Sequence, residues 1–230
     1  ICVCLVGSEM CIRDRGKPLK DAITEIEDLS EYLQYYGELA RDQVGRIVSP
    51  VENKSMSLVR YEPYGVVGCI ITWNYPLSLM GWKLAPALAA GNTIIMKPSE
   101  ITSTSLLHWA EIVGDIMPPG VLNVITGYGT EAGEEIVKHP SIPIITFTGS
   151  VKTGKRIAMH AAENLKKVSL DLGGKDPAII CDDADIDVAA KGTSWGALVN
   201  SGQVCTSIER VYVFSNCLLY TSDAADEPLS

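Results

Sequence analysis

The chain has 230 residues, 47% of them hydrophobic, which is enough for one large core or two small ones. Its formal net charge is −9 and its basic residues are scattered, so the electrostatic footprint of a nucleic-acid binder is missing. Lys, Glu, Asn or Pro interrupts every apolar run short of the roughly 18 residues a membrane helix needs, so no membrane partner is expected and the protein reads as soluble.

The first stretch in chain order, residues 1–15, mirrors the last. Back-translating Glu9-Met-Cys-Ile-Arg-Asp14 gives a string whose reverse complement encodes Cys217-Leu-Leu-Tyr-Thr-Ser222 in another frame. The two ends of a natural protein should not be related in this way. Residues 1–15 and 216–230 are therefore expected to be translated sequencing adaptor that adds no buried contact to the body. A secretory signal is the weaker reading, because Glu9, Asp14 and Arg15 crowd the place where a small-residue cleavage site belongs. Of the seven cysteines, Cys69, Cys181 and Cys205 then remain, none with metal-ligand or redox spacing to another. No metal is expected. The pattern fits a reducing, cytoplasmic location and one nucleophile, with Cys69 and Cys181 as packing residues.

From Pro18 to Gly45, Leu19, Ala22, Ile23, Ile26, Leu29, Leu33, Tyr36, Leu39 and Ala40 recur at helical spacing, which predicts an amphipathic helix with one buried face. Arg46 to Glu62 alternates weakly around Pro50 and Asn53 and reads as a hairpin. After Pro63, β-branched runs at 66–72, 93–96, 121–125, 144–147 and 168–170 alternate with helix-period segments at 77–90, 103–117, 130–139 and 153–162. Strands separated by helices imply right-handed crossovers and a parallel sheet covered on both faces, whose ligands sit beyond the carboxyl ends of the strands. Asn74, Lys97, Gly129 and Ser150 each fall just after a strand, so this topology gathers them along one rim. A strand at 177–180, a helix at 185–200 and a strand at 210–214 complete the body.

Several of these positions have an ordinary reading beside a chemical one. Gly149-Ser-Val-Lys-Thr-Gly154 follows a strand and opens a helix, where backbone N–H groups and the helix dipole can receive a pyrophosphate, yet it lacks the glycine pair of the full dinucleotide motif. Lys97 can be a solvated surface charge. Asn74 can be turn chemistry. Cys205 can be a small buried hydrophobe. His108, His139 and His160 have no partner spacing and read as solvated or capping residues.

Taken together, the motifs select one reading. Lys167-Lys-Val-Ser-Leu-Asp-Leu-Gly-Gly-Lys-Asp-Pro177 and Asn200-Ser-Gly-Gln-Val-Cys205 follow Thr72-Trp-Asn-Tyr-Pro76, Leu84-Ala-Pro-Ala-Leu-Ala-Ala-Gly91, Lys97-Pro-Ser-Glu100, Pro119-Gly-Val-Leu-Asn123 and Phe147-Thr-Gly-Ser150 with Gly154. In content and order these resemble the NAD(P)-dependent aldehyde dehydrogenase superfamily over about residues 16–214. The resemblance implies an α/β fold: a Rossmann-like, doubly wound parallel cofactor domain at 16–172 with an assembly hairpin at about 46–62, then the opening of a second α/β catalytic domain at 173–215. It implies oxidation of a small-molecule aldehyde to an acid, with Cys205 attacking the carbonyl carbon, and with the Asn74 side-chain amide and Cys205 N–H as the oxyanion hole. For the cofactor it implies Ile71, Thr72, Trp73 and Asn74 along the dinucleotide, and Lys97, Ser99 and Glu100 at the adenosine ribose. Gly129 and Thr130 would border the adenine, with Gly149, Ser150, Gly154 and Leu172 on the phosphate and nicotinamide path. A carboxylate at Glu100 would repel a 2′-phosphate and favours NAD, with NADP possible. A homo-oligomer is expected of the full-length protein, and the fragment alone is expected to be inactive.

One position departs from the family. The residue before Leu172-Gly173-Gly174 is usually the glutamate that activates the deacylating water, and here it is Asp171. Two alternatives to plain hydrolysis follow: an acylating enzyme that hands its thioester to coenzyme A, or a catalytically silent nucleotide-binding protein of the same fold.

Overall fold

The computed structural model describes residues 16–42, 45–48 and 56–218. The chain divides after Leu172 into two compact units.

In the first unit, helix α1 (Leu19–Leu39) buries Ala22, Glu25 and Leu29; Ala22 and Leu29 belong to the face its periodicity predicts, whereas Leu19, Ile23 and Leu39 of that face are exposed and Glu25 was not part of it. Strands β1 (Arg46–Val48) and β2 (Ser57–Val59) pair antiparallel, Arg46 opposite Val59, and are exposed throughout. The turn expected around Pro50 and Asn53 lies outside the described residues. Strand β3 (Val66–Ile70), helix α2 (Pro76–Ala89), strand β4 (Thr93–Lys97), helix α3 (Ser103–Val113) and strand β5 (Leu122–Val124) follow. Then come a π turn at Gly129–Gly133, the short helix α4 (Glu134–Lys138), strand β6 (Ile144–Gly149), helix α5 (Val151–Glu163) and strand β7 (Lys167–Leu172). The single helix expected at 130–139 is thus a wide turn running into a short helix, the two glycines Gly129 and Gly133 bounding the wide part.

The five strands form one parallel sheet in the order β5-β4-β3-β6-β7. The chain starts at the centre, winds out to β5, then returns to β6 on the other side of β3. That reversal is the switch point at which doubly wound sheets open a crevice at their carboxyl edge. Alternation along β3 sends Val67, Cys69 and Ile71 to one face, where they pack with Leu29, Leu77, Met80, Leu84, Leu106 and Trp109. Ile70 goes to the other face with Ile136, Val137, Ile142, Ile145, Phe147 and Ile157. Each face therefore has its own core. Gly68 sets the second face's spacing, because a β-carbon there would come within 2.5 Å of Ile136 Cγ2.

The second unit holds strand β8 (Asp176–Ile180), helix α6 (Ile186–Leu198) and strand β9 (Ile208–Val213). β8 and β9 pair in parallel, with a register irregularity between Asp176 and Pro177. Asp185 caps α6 by accepting from Val188 N at 3.0 Å. A short 3-10 turn follows at Ser215–Cys217. Cys217 is 8% exposed and its thiol donates to the Cys181 carbonyl at 3.1 Å. The expectation that nothing from residue 216 onward makes a buried contact therefore fails at Cys217. The rest of that segment from residue 219, and residues 1–15, lie outside the described residues. Cys181 is corrected too: it stands exposed in the turn after β8 instead of packing in a core.

Candidate active site

A pocket of about 440 Å³ opens at the carboxyl edge of the sheet, across the β3–β6 switch point. The end of β3 supplies Ile71 and Thr72, the β4 exit Lys97, Ser99 and Glu100, the π turn Gly129 and Thr130, and the end of β6 Gly149 and Ser150. Trp73, Asn74, Gly154 and Leu172 do not line it. Gly154 instead meets Leu172, whose Cδ2 lies 2.6 Å from where a β-carbon would stand, so this glycine lets α5 settle onto β7. Thr153 and Arg156 on α5 and Glu134 on α4, which the sequence had not singled out, also line the wall, and so does His160, which is corrected from a solvated or capping residue to a pocket residue. Their helical spacing (153, 156, 157, 160) is the signal that was available.

Charge in this pocket is specific. Lys97 is 2% exposed, and its Nζ donates to the Pro98 carbonyl at 2.9 Å and lies 3.9 Å from Glu100 Oε2. Burial holds its pKa below the usual lysine value, with Glu100 acting in the opposite direction. An ammonium beside a carboxylate offers a donor and an acceptor side by side. Ser150 caps α5, its Oγ accepting from Thr153 N at 3.2 Å, so the first turn of the helix opens toward the pocket. Opposite, Glu134 accepts from Lys138 and Arg156, and these bonds hold its carboxyl below the usual carboxylate range.

On the other face of the sheet lies a second polar group. The β6–β7 register sets Thr148 against Asp171, and Thr148 Oγ1 donates to Asp171 Oδ2 at 3.0 Å. Thr148 is 2% exposed, so the bond anchors the half-buried carboxylate from a rigid strand. Lys83 of α2 is buried beside it and donates to Thr146 Oγ1 at 3.2 Å. Desolvation pulls Lys83 below the ordinary lysine pKa, with the Asp171 carboxylate acting in the opposite direction. Lys83 is the basic residue of α2, a helix otherwise apolar almost all round, and that isolation was its readable signal. Cys69, fully buried, has its thiol pushed up to about 12 and is not a nucleophile at neutral pH.

A stability prediction follows from Lys83. Its folded-state pKa is lowered, so the unfolded chain binds that proton more readily; the penalty is present at neutral pH and disappears as pH rises through the ordinary lysine value of 10.5. Lys83→Met should therefore raise Tm at pH 7 by roughly 2–4 °C, or about 1 kcal/mol, with a smaller gain above pH 10.5. A lower Tm at pH 7 in a thermal melt would show that Lys83 is net stabilising.

In the second unit, Cys205 is half-buried in the turn between α6 and β9. Asn200, Ser201 and Gly202 before it all have positive φ (52°, 57° and 76°). For Asn200 and Ser201 this is the costly left-handed region, and strain of that kind concentrates at functional sites. The turn is closed by Gln203 Nε2 donating to the Asn200 carbonyl at 3.0 Å and Asn200 Nδ2 donating to the Gln203 carbonyl at 3.2 Å. Asn200 is 1% exposed, which pins the turn in place.

The aldehyde dehydrogenase family model matches residues 8–219. The chain belongs to the aldehyde dehydrogenase family. Betaine aldehyde dehydrogenase 1 of Oryza sativa subsp. japonica is 49% identical over 203 residues, which is 86% of this chain and 40% of the rice enzyme. A solved lactaldehyde dehydrogenase superposes with TM-score 0.89 at 39% identity, covering 93% of this chain and 45% of its own. A betaine aldehyde dehydrogenase of Staphylococcus aureus, solved in complex with NAD+, gives TM-score 0.88 at 36% identity over 91% of this chain and 42% of its own. This aldehyde dehydrogenase chain thus spans about two-fifths of the length of the relatives it matches. The Rossmann-like, doubly wound cofactor fold that the resemblance implied is the fold these neighbours share. Among the described residues no helix is long and apolar enough to cross a membrane, and no cluster could hold a metal ion.

Proposed function

We propose that this chain is the cofactor-binding part, and the opening of the catalytic part, of an enzyme that oxidises a small-molecule aldehyde to a carboxylic acid with NAD. The observation that carries it is the pocket at the switch point, where Lys97, Glu100, Gly149 and Ser150, assigned to the cofactor by motif, converge on one cavity. The residues fit the group. Lys97 and Glu100 would hold the adenosine ribose hydroxyls, Gly129 and Thr130 the adenine side, and Ser150 with the α5 N-terminus the pyrophosphate. Gly149 can carry no side chain, since a β-carbon would come within 2.4 Å of the Phe147 ring, which packs against the β6 exit there. Glu100 disfavours a 2′-phosphate, so NAD is preferred with NADP possible. Bound NAD would supply the hydride acceptor.

The protein supplies the rest. Cys205 Sγ adds to the aldehyde carbon to give a thiohemiacetal, and after oxidation a thioester, while Asn74 Nδ2 and Cys205 N–H stabilise the oxygen on which charge develops. Asp171 takes a proton from the water that hydrolyses the thioester, its carboxylate held by the Thr148 hydroxyl. A homo-oligomer built through the β1–β2 hairpin and a reducing, cytoplasmic location complete the reading. The free state of Cys69, Cys181, Cys205 and Cys217 supports the location.

Activity of the protein that carries this chain at full length tests the proposal. With betaine aldehyde and related aldehydes, absorbance at the NADH band should rise without coenzyme A, with kcat/KM higher for NAD than for NADP. Turnover only when coenzyme A is present would make the enzyme acylating, and absence of NADH with every aldehyde while NAD still binds would make it a silent binder. The 230-residue chain alone should bind NAD weakly and turn nothing over.

A further inference from the structure

Lys17 and Glu25, at the start of α1, are each only 3% exposed, a rare state for either residue type. They pair at 2.8 Å between Nζ and Oε1. What surrounds the pair is unusual. Lys17 Nζ also donates to the Asn74 carbonyl at 2.8 Å and sits 3.6 Å from the centroid of the Tyr75 ring. Glu25 Oε2 accepts from Leu77 N at 2.9 Å and Ser78 N at 3.3 Å. Those are orphan N–H groups in the first turn of α2, and Tyr75 at the cap position offers no side-chain acceptor of its own. Glu25 therefore caps a helix from another helix. Asp28 extends the contact by accepting from Ser78 Oγ at 3.2 Å.

A buried ion pair gains little for stability over a well-packed apolar pair, since desolvation offsets its attraction, and burial does hold the Glu25 carboxyl above its ordinary pKa. What it adds is direction. Both charged groups spend their remaining hydrogen bonds on one segment, 74–78, which carries Asn74. On its other side the segment is tied to the sheet by Ile71 N donating to the Lys97 carbonyl at 3.1 Å. The approach of α1 to α2 is equally tight, since a β-carbon on Gly81 would stand 3.0 Å from Leu29 and Tyr32.

We propose that the Lys17–Glu25 pair is a positioning device that sets where the Asn74 amide stands toward the reacting carbonyl, so that α1, remote from the chemistry in sequence, governs the oxyanion site. This rests on the proposed role of Asn74 as an oxyanion donor. A displacement of about 1 Å at such a donor can cost on the order of 100-fold in rate.

The test is a double-mutant cycle in the full-length enzyme with Lys17→Met/Glu25→Gln, which leaves no unpaired buried charge, and Asn74→Ala. In the wild-type background the paired substitution should lower kcat/KM for the aldehyde roughly 10- to 100-fold while the Kd for NAD stays within about twofold. On the Asn74→Ala background it should cost less than about twofold, because the group it positions is gone. Equal losses on both backgrounds, or no loss in the wild type, overturn the proposal. If Asn74→Ala itself leaves kcat/KM unchanged, the oxyanion role falls, and the positioning role with it; if Asn74→Ala is severely impaired but the losses are equal, only the positioning role falls. Should the paired variant fail to fold, Lys17→Arg keeps the charge and alters its reach: a loss of kcat/KM at unchanged Tm, absent from the Asn74→Ala background, supports the proposal, and full activity overturns it.

Discussion

Cys205→Ala in the full-length enzyme is expected to abolish both the burst of NADH and steady-state turnover, a loss on the order of 10⁴-fold or more, while NAD binding is unchanged. No other described cysteine can substitute. Cys69 is fully buried with its thiol pushed up to about 12, so almost none of it is thiolate at neutral pH. Cys181 follows β8 in an exposed turn, and Cys217 is buried and donates to the Cys181 carbonyl. Cys205 sits in a turn whose three consecutive left-handed residues would not persist without the reciprocal Asn200–Gln203 bonds that hold them. NAD retention follows because the proposed cofactor contacts come from residues 71–172, none of them in the 200–205 turn. Stopped-flow absorbance and a titration of NAD check the two halves separately. A surviving burst of near-stoichiometric amplitude would assign the nucleophile elsewhere.

Much of the cofactor unit was legible in the residues. Short β-branched runs separated by helix-period segments leave little choice but a parallel sheet, and the helix at 19–39, the strands at 66–70 and 93–97 and the helix at 151–163 lie where those patterns put them. The rim logic worked for Lys97, Gly129 and Ser150, because a residue that ends a parallel strand must emerge at the carboxyl edge whatever its side chain. It could not separate the two faces of that edge. Asn74 also follows β3, yet the chain turns into α2 at Pro76 and carries it away from the pocket wall. The groups that periodicity missed are buried charges: Lys83, Lys17 and Glu25 occupy positions that hydropathy assigns to solvent. Their placement depends on partners 50 or more residues away, such as Leu77 for Glu25 and Asn74 for Lys17, which no local window contains. The wide turn at 129–133 escaped for a different reason. Helix-period spacing does not distinguish a π turn from the α-helix it enters.

Asp171 should make deacylation the slow step. The carboxylate that usually stands here has one more methylene, so this one reaches about 1.5 Å less far. The Thr148 bond at 3.0 Å, made from a strand residue that is itself buried, prevents the side chain from swinging out to recover the distance. Acylation and reduction of NAD do not need this base, so the first turnover should be nearly normal and the following ones slow: a burst of NADH, then a lower steady rate. Asp171→Glu should raise the steady rate by about 10-fold or more without enlarging the burst, because a 1 Å gain in placement is worth up to about 100-fold. Asp171→Asn should lower the steady rate further, by roughly 10²- to 10⁴-fold, the usual contribution of a general base, and leave the burst intact. Stopped-flow traces with NAD and a saturating aldehyde give both numbers from one experiment. If Asp171→Asn leaves water-dependent turnover untouched, Asp171 only holds the β6–β7 edge through Thr148, and the proton acceptor lies outside this chain. If coenzyme A restores the rate of Asp171→Asn while water does not, the thioester is handed on by transfer, and a short carboxylate at this position becomes a means of keeping water from competing with the thiol.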